Sequence, residues 1–115
     1  VKFEDLGVWR RAVRMSAELY RFARELNDWG FRDQLGRSGL SIPSNIAEGF
    51  ERESNKECVN FLSYAKGSCG ELRTQILIGI EAGHIPKELG NEWVEETREI
   101  SLMLGGLIKT RKSFT

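Results

Sequence analysis

The sequence predicts an all-α fold: an antiparallel up-down-up-down four-helix bundle, in a single domain spanning residues 1–115. Three observations predict it. Apolar residues recur at alternating spacings of four and three along four separate stretches, the repeat of a helix seam that faces partner helices. Capping residues, Gly and Pro punctuate those stretches and leave short connections, which join antiparallel neighbours. No sustained period-two alternation exists, so strands are not predicted.

Composition agrees. A chain of 115 residues suits one domain and buries about two-thirds of its unfolded surface. The 30% charged content suits helices with solvated faces. No run of 18 apolar residues exists, so no membrane span is predicted. The first nine residues carry charges and no apolar core of a signal peptide, so a cytoplasmic protein is expected. Lys+Arg and Asp+Glu both number 17, which argues against a uniformly basic nucleic-acid binder.

The first helix is predicted over Leu6 to Leu26, with the seam Val8, Ala12, Met15, Leu19, Phe22, Leu26. A second stripe, Trp9, Val13, Ser16, Tyr20, Ala23, runs beside it and makes the apolar face wider than one neighbour needs. The turn is placed at Asn27-Asp28-Trp29-Gly30. The second helix is predicted from Arg32 to Phe50, on the seam Leu35, Gly39, Ile42, Ile46, Gly49. Pro43 lies inside it, removes one backbone hydrogen bond and should kink it.

The third helix has the clearest start. Ser54 as N-cap and Glu57 at N3 fit a capping box, and Glu57 would then satisfy the Ser54 backbone N–H. Its seam is Cys58, Leu62, Ala65, Cys69, Leu72, Ile76, Gly79, and it stops at Gly83, a left-handed C′ residue. The fourth helix opens with Pro86 at N1 and carries Trp93, Ile100, Leu104 and Leu107 inward. Acidic residues crowd its start and Lys109, Arg111 and Lys112 its end, an order that suits the helix dipole.

Twelve glycines sit in a sequence that otherwise reads as helical. Each interior helix Gly costs about 1 kcal/mol against Ala. The pairs Gly67-Ser68 and Gly105-Gly106 lack the flanks of a phosphate loop, so close helix contact is the expected compensation.

Catalytic arrangements are poorly served, so no enzyme and no cofactor is predicted. A di-metal carboxylate bundle wants two Glu-x-x-His pairs, but His84 is the single histidine and no Glu stands three residues before it. His84 reads instead as a helix C-terminal residue favoured by the dipole. No C-x-x-C pair is present for zinc. Cys58 and Cys69 lie eleven residues apart on one helix, roughly 16 Å of rise, too far for a disulfide.

The candidate interaction site is a polar line beside the seam of the second helix. It comprises Ser41, Asn45, Glu48 and Arg52, with Glu57 and Glu71 on the third helix. As a ligand site, an amide and a carboxylate would orient a polar group while a guanidinium grips phosphate. As a structural network, the same residues would fix helix register or oligomer state. Candidate nucleic-acid contacts are Arg10, Arg14, Arg21 and Arg37. The competing reading is a solvated face, with Glu18 pairing Arg14 and Arg21, and Glu25 pairing Arg21.

The run Ser41-Ile42-Pro43-Ser44-Asn45-Ile46-Ala47-Glu48-Gly49, with Arg52, Ser54, Glu57, Phe61-Leu62, Ala65, Gly67-Ser68 and Glu71-Leu72, resembles the four-helix-bundle family of the 23S rRNA intervening-sequence protein, also called the S23 family. The opening Phe3-Glu4-Asp5-Leu6-Gly7-Val8-Trp9 and Ala12 resembles its N-terminal signature. The resemblance implies an up-down bundle assembled as a homopentamer, no established enzymatic activity, and a link to RNA. It also implies a related branch of nucleic-acid-binding accessory proteins of reverse transcriptases. Members commonly carry two basic residues after Gln34-Leu35, where this chain has Gly36-Arg37. The neutral total hides polarity. Residues 71–100 carry 3 cations and 7 anions, and residues 101–115 carry 3 cations and no anion.

Overall fold

A computed structural model describes residues 1–114. Among them run four α-helices: α1 (Gly7–Ala23), α2 (Trp29–Glu51), α3 (Asn55–Glu81) and α4 (Lys87–Lys112), preceded by a 3-10 turn at Phe3–Asp5. They form a rod of 46 × 20 × 19 Å. Helices adjacent in sequence are neighbours in space, with α3 packed extensively on both α2 and α4. Contact between α1 and α4 closes the bundle and is the lightest of the four helix pairings.

Polar contacts fix the up-down order. His84 Nε2 lies 3.3 Å from Asp28 Oδ2, so the α1–α2 and α3–α4 turns share one end. At the other end the Asn55 amide donates to the Arg111 carbonyl at 2.8 Å, joining the start of α3 to the last turn of α4.

Several helix ends differ from the sequence reading. The first helix stops at Ala23 rather than Leu26, because 3-10-type bonds from Glu25 to Phe22 and from Leu26 to Ala23 tighten the exit. Helix α2 starts three residues before Arg32, because Asp28 is an N-cap whose carboxylate accepts from the Phe31 N–H at 3.1 Å. Trp29 and Gly30, read as turn, are therefore helical. Pro43 is buried and α2 continues through it as one helix. Ser54 caps α3 as expected, accepting from the Glu57 N–H at 3.1 Å. The Glu57 carboxylate does not complete the box; it lies against Arg52. Gly83 at φ +81° ends α3 in a Schellman motif, with His84 N–H donating to the Gly79 carbonyl and Gly83 N–H to that of Ile80. Pro86 is the N-cap of α4, one position before the N1 expected.

The seams form the core. Leu19, Leu35, Ile42, Ile46, Leu62, Leu72, Ile76, Ile100 and Leu104 are fully buried. The second stripe of α1 behaves differently: Ala23 is buried, Trp9 and Ser16 are half-buried, and Val13 and Tyr20 are exposed.

Several glycines are set by packing. A Cβ on Gly79 would stand 2.5 Å from Ile85 Cδ1 and 2.9 Å from the Phe31 ring. A Cβ on Gly90 would collide with Ile80. One on Gly49 would press the Cys58 carbonyl at 3.1 Å. The two dipeptides expected at close contacts do not behave this way. Gly67 and Gly106 have no neighbour within 4 Å, and Gly105 meets only the end of Lys66 at 3.6 Å.

Gly79→Ala is expected to lower the unfolding free energy by about 1–3 kcal/mol through overpacking, despite alanine's better helix propensity. Gly106→Ala, with open space around it, should be neutral or stabilising by up to about 1 kcal/mol. Urea denaturation at matched protein concentration measures both.

Candidate interaction sites

The polar line of α2 divides into two separate pieces. In the first, Ser38, only 2% exposed, donates to Glu71 Oε1 at 2.9 Å and links α2 to α3. Ser41 donates to the Ser38 carbonyl at 2.8 Å, and the Asn45 amide to the Ser41 carbonyl at 2.9 Å. Those two side chains are thus committed to their own helix. In the second, Arg52 at the α2–α3 corner donates to Glu48 at 3.1 Å and Glu57 at 3.4 Å, with its guanidinium 4.9 Å from the Phe61 ring centre. Two carboxylates against one guanidinium leave a net negative charge, so the corner disfavours phosphate. The six candidates do not converge on one pocket.

The candidate cations also scatter. Arg10 donates to the Glu4 carbonyl at 2.8 Å and pairs with Asp5 at 3.5 Å. Arg14 and Arg21 line a groove of about 530 Å³ between α1 and α4, whereas Arg37 lines a different groove. The expected pairing along α1 is replaced. Glu18 accepts from the Trp93 indole N–H at 3.2 Å, and Glu25 lies 3.7 Å from Arg24. Among the described residues, neither Arg14 nor Arg21 has an ion pair within 4 Å.

Arg11, which the sequence reading did not single out, makes the strongest contact between α1 and α4. Its Nε donates to Glu96 Oε2 at 3.0 Å and its Nη2 to Oε1 at 2.6 Å, a two-pronged pair. The hydrogen bond raises the Arg11 pKa and lowers that of Glu96. The signal is absent from either helix alone, because the partners lie 85 residues apart.

A larger groove runs between α1 and α2. It encloses about 880 Å³ and is lined by Val13, Ala17, Tyr20, Leu40 and Pro43, with Arg24, Arg32, Asp33 and Arg37 around it. Tyr20 is 66% exposed and Leu40 61%. Gly36 opens the groove further, with no neighbour within 4 Å of a Cβ built there. A second exposed apolar face lies near the end of α3, where Leu77 and Ile78 stand beside Thr74 and Glu81. The second stripe of α1 had pointed to Val13 and Tyr20. Leu40, Leu77 and Ile78 fall off every seam and carried no periodic signal.

Residues 4–106 match the model of the family described as 23S rRNA-intervening sequence protein. The chain belongs to this family. Among solved structures, a protein with unknown function of the S23 ribosomal protein family from Bacteroides thetaiotaomicron superposes with a TM-score of 0.83. The two share 24% identity, and the match covers 89% of this chain and 98% of that one. No curated protein matches. The 23S rRNA-intervening sequence fold is thus held with little sequence in common, as expected where a seam pattern rather than particular side chains specifies a bundle. In this family member no helix is long and apolar enough to cross a membrane among the described residues.

The Arg11–Glu96 pair makes stability depend on pH. The folded pKa of Glu96 lies below its ordinary value of 4.5, so the contribution is complete above that value and lost as pH falls through the folded pKa. With both partners about a third exposed, the expected size is about 1 kcal/mol. Glu96→Gln should lose that amount at neutral pH. The difference from the unmodified chain should vanish in acid, as read by urea unfolding at pH 7 and pH 3.

Proposed function

We propose that this protein is a non-catalytic scaffold that assembles with copies of itself through the α1/α2 groove. The observation that carries this reading is the groove itself. The bundle already has a complete core, yet Val13, Tyr20 and Leu40 remain outside it on one contiguous face. Apolar surface gathered in one place marks an interface more often than chance exposure does. Five copies is the number the family resemblance implies.

A non-catalytic role is supported by where the reactive side chains stand. His84 is held between Asp28 and the Phe31 ring at the end of the bundle. The Cys69 thiol is buried and its pKa is pushed up to about 11, so it stays protonated. Both cysteines are free, which fits a reducing, cytoplasmic setting.

Association with RNA is a second reading, favoured by Arg14 and Arg21, which line the α1/α4 groove without an ion pair within 4 Å among the described residues, although Glu18, Glu92 and Glu96 line it too. The family description names an rRNA intervening sequence. In a symmetric assembly these pairs of cations would be multiplied around the axis.

Light scattering at micromolar concentration should give a mass several times the 13.1 kDa of the chain. Tyr20→Glu with Leu40→Glu should give a folded monomer, judged by circular dichroism. A monomeric unmodified chain overturns the scaffold reading. For the RNA reading, affinity for rRNA fragments should fall steeply with salt and be weakened uniformly by Arg14→Glu with Arg21→Glu.

A further inference from the structure

The α1/α2 groove asks for an occupant that is aliphatic, flanked by acidic groups and smooth enough for close approach. Its cations Arg32 and Arg37 flank Gly36 and Leu40 along the α2 wall and Arg24 stands on the α1 side, a lining that stays net positive although Asp33 lies 3.8 Å from Arg32 and Glu25 3.7 Å from Arg24. The outward face of α3 answers each requirement. Leu77 is 45% and Ile78 54% exposed, with Glu81 beside them. Further back along the helix, Ser63, Gly67, Gly70 and Thr74 continue the same face at spacings of four, three and four. Neither Gly67 nor Gly70 has a neighbour within 4 Å, although both lie inside α3. Among the described residues no close contact at these glycines offsets their cost of about 1 kcal/mol each in a helix.

The two faces lie at matching heights. The Asp28–His84 contact puts the α1–α2 and α3–α4 turns at one end. The Ser38–Glu71 hydrogen bond then aligns α2 with the antiparallel α3, so Leu40 stands level with the Gly67–Gly70 turn and Gly36 level with Arg73 and Thr74, with Leu77 about one helical turn beyond. Two copies side by side with parallel axes thus bring an exposed Leu40 opposite glycines, and set an exposed Leu77 about one turn from Gly36, within reach because a helical side chain leans back towards its helix N-terminus. The same placement brings Glu81 and the free oxygen of Glu71 towards Arg32 and Arg37.

We propose, building on the self-assembly reading, that the outward face of α3 of one copy seats in the α1/α2 groove of the next. Leu40 packs on Gly67 and Gly70, and Leu77 packs into the hollow at Gly36. Such a contact is head-to-tail. Each copy keeps one groove and one α3 face to offer, so the assembly closes only as a ring.

Two variants and their mixture test this. Leu40→Glu spoils the groove and leaves the α3 face intact. Leu77→Glu with Ile78→Glu spoils the α3 face and leaves the groove intact. All three positions are exposed, and circular dichroism verifies folding. Each variant alone should be a monomer by light scattering. Their equimolar mixture should give a species of twice the 13.1 kDa chain mass and nothing larger, because one sound groove meets one sound α3 face. Should the α3 variant alone keep the mass of the unmodified assembly while Leu40→Glu is monomeric, this pairing is wrong and groove-mediated assembly stands. A mixture that stays monomeric also overturns it. A monomeric unmodified chain overturns both readings.

Discussion

Close approach of α3 to its two neighbours is the constraint on which the bundle rests. Gly49 lets α2 press against the Cys58 carbonyl, and Gly79 lets Ile85 and the Phe31 ring close over the end of α3. Gly90 admits the Ile80 side chain from α3. A bundle packed this way has little slack around α3, because interiors are as dense as organic crystals. The consequence falls on α1, the one helix with no close contact to α3. It is held on α2 by its seam and on α4 by a few particular contacts: Arg11 with Glu96, Glu18 with the Trp93 indole, and Phe22 edge-on to Trp93. Two grooves flank α1 for that reason, one on each side.

The grooves differ in chemistry because α1 has two unlike flanks. Towards α4 it presents Arg11, Arg14, Glu18 and Arg21, and the facing wall supplies Glu92 and Glu96. That groove is polar and partly satisfied from within. Towards α2 it presents Val13, Ala17 and Tyr20, and the facing wall supplies Leu40 and Pro43. Among the described residues nothing covers that apolar wall. Water pays no such surface any compliment: burying it against another surface gains roughly 25 cal/mol per Å². The same packing that makes α3 the centre of the core thus leaves an exposed apolar wall on the α1/α2 side.

The fold was legible because it is carried by periodicity. Seams such as Leu35, Gly39, Ile42, Ile46, Gly49 are visible without any partner in view, and all five are buried. Ends were legible only where the cap lies in sequence next to what it caps and its residue type is distinctive. Ser54 was read correctly, and Gly83 also, whereas Asp28 was hidden by the turn-like Trp29-Gly30 that follows it. The polar candidates fared differently. Ser41, Asn45, Glu48 and Arg52 do share a line on α2, as their spacing requires. A common line does not make a common site, since Ser41 and Asn45 bond their own backbone and Arg52 turns to the α2–α3 corner. Pairings across the bundle, such as Arg11 with Glu96, depend on which helices become neighbours and at what height. Neither is written in one helix.

Glycine is where these lines of argument meet. A helix tolerates Gly only against some gain, and within this bundle the gain is visible at Gly39, Gly49, Gly79 and Gly90, each with a neighbour at 3.1 Å or closer to a built Cβ. Gly36, Gly67, Gly70 and Gly106 stand in equally regular helix with open space beside them. Their cost falls on the single chain, and a contact within the chain does not offset it. Of these, Gly36 lies in the apolar groove, while Gly67 and Gly70 lie on the outward face of α3. A bundle made only to fold would be more stable with alanine at such places. The same residue type therefore stands in two settings, one packed inside the bundle and one open at its surface, and burial separates them where sequence spacing does not.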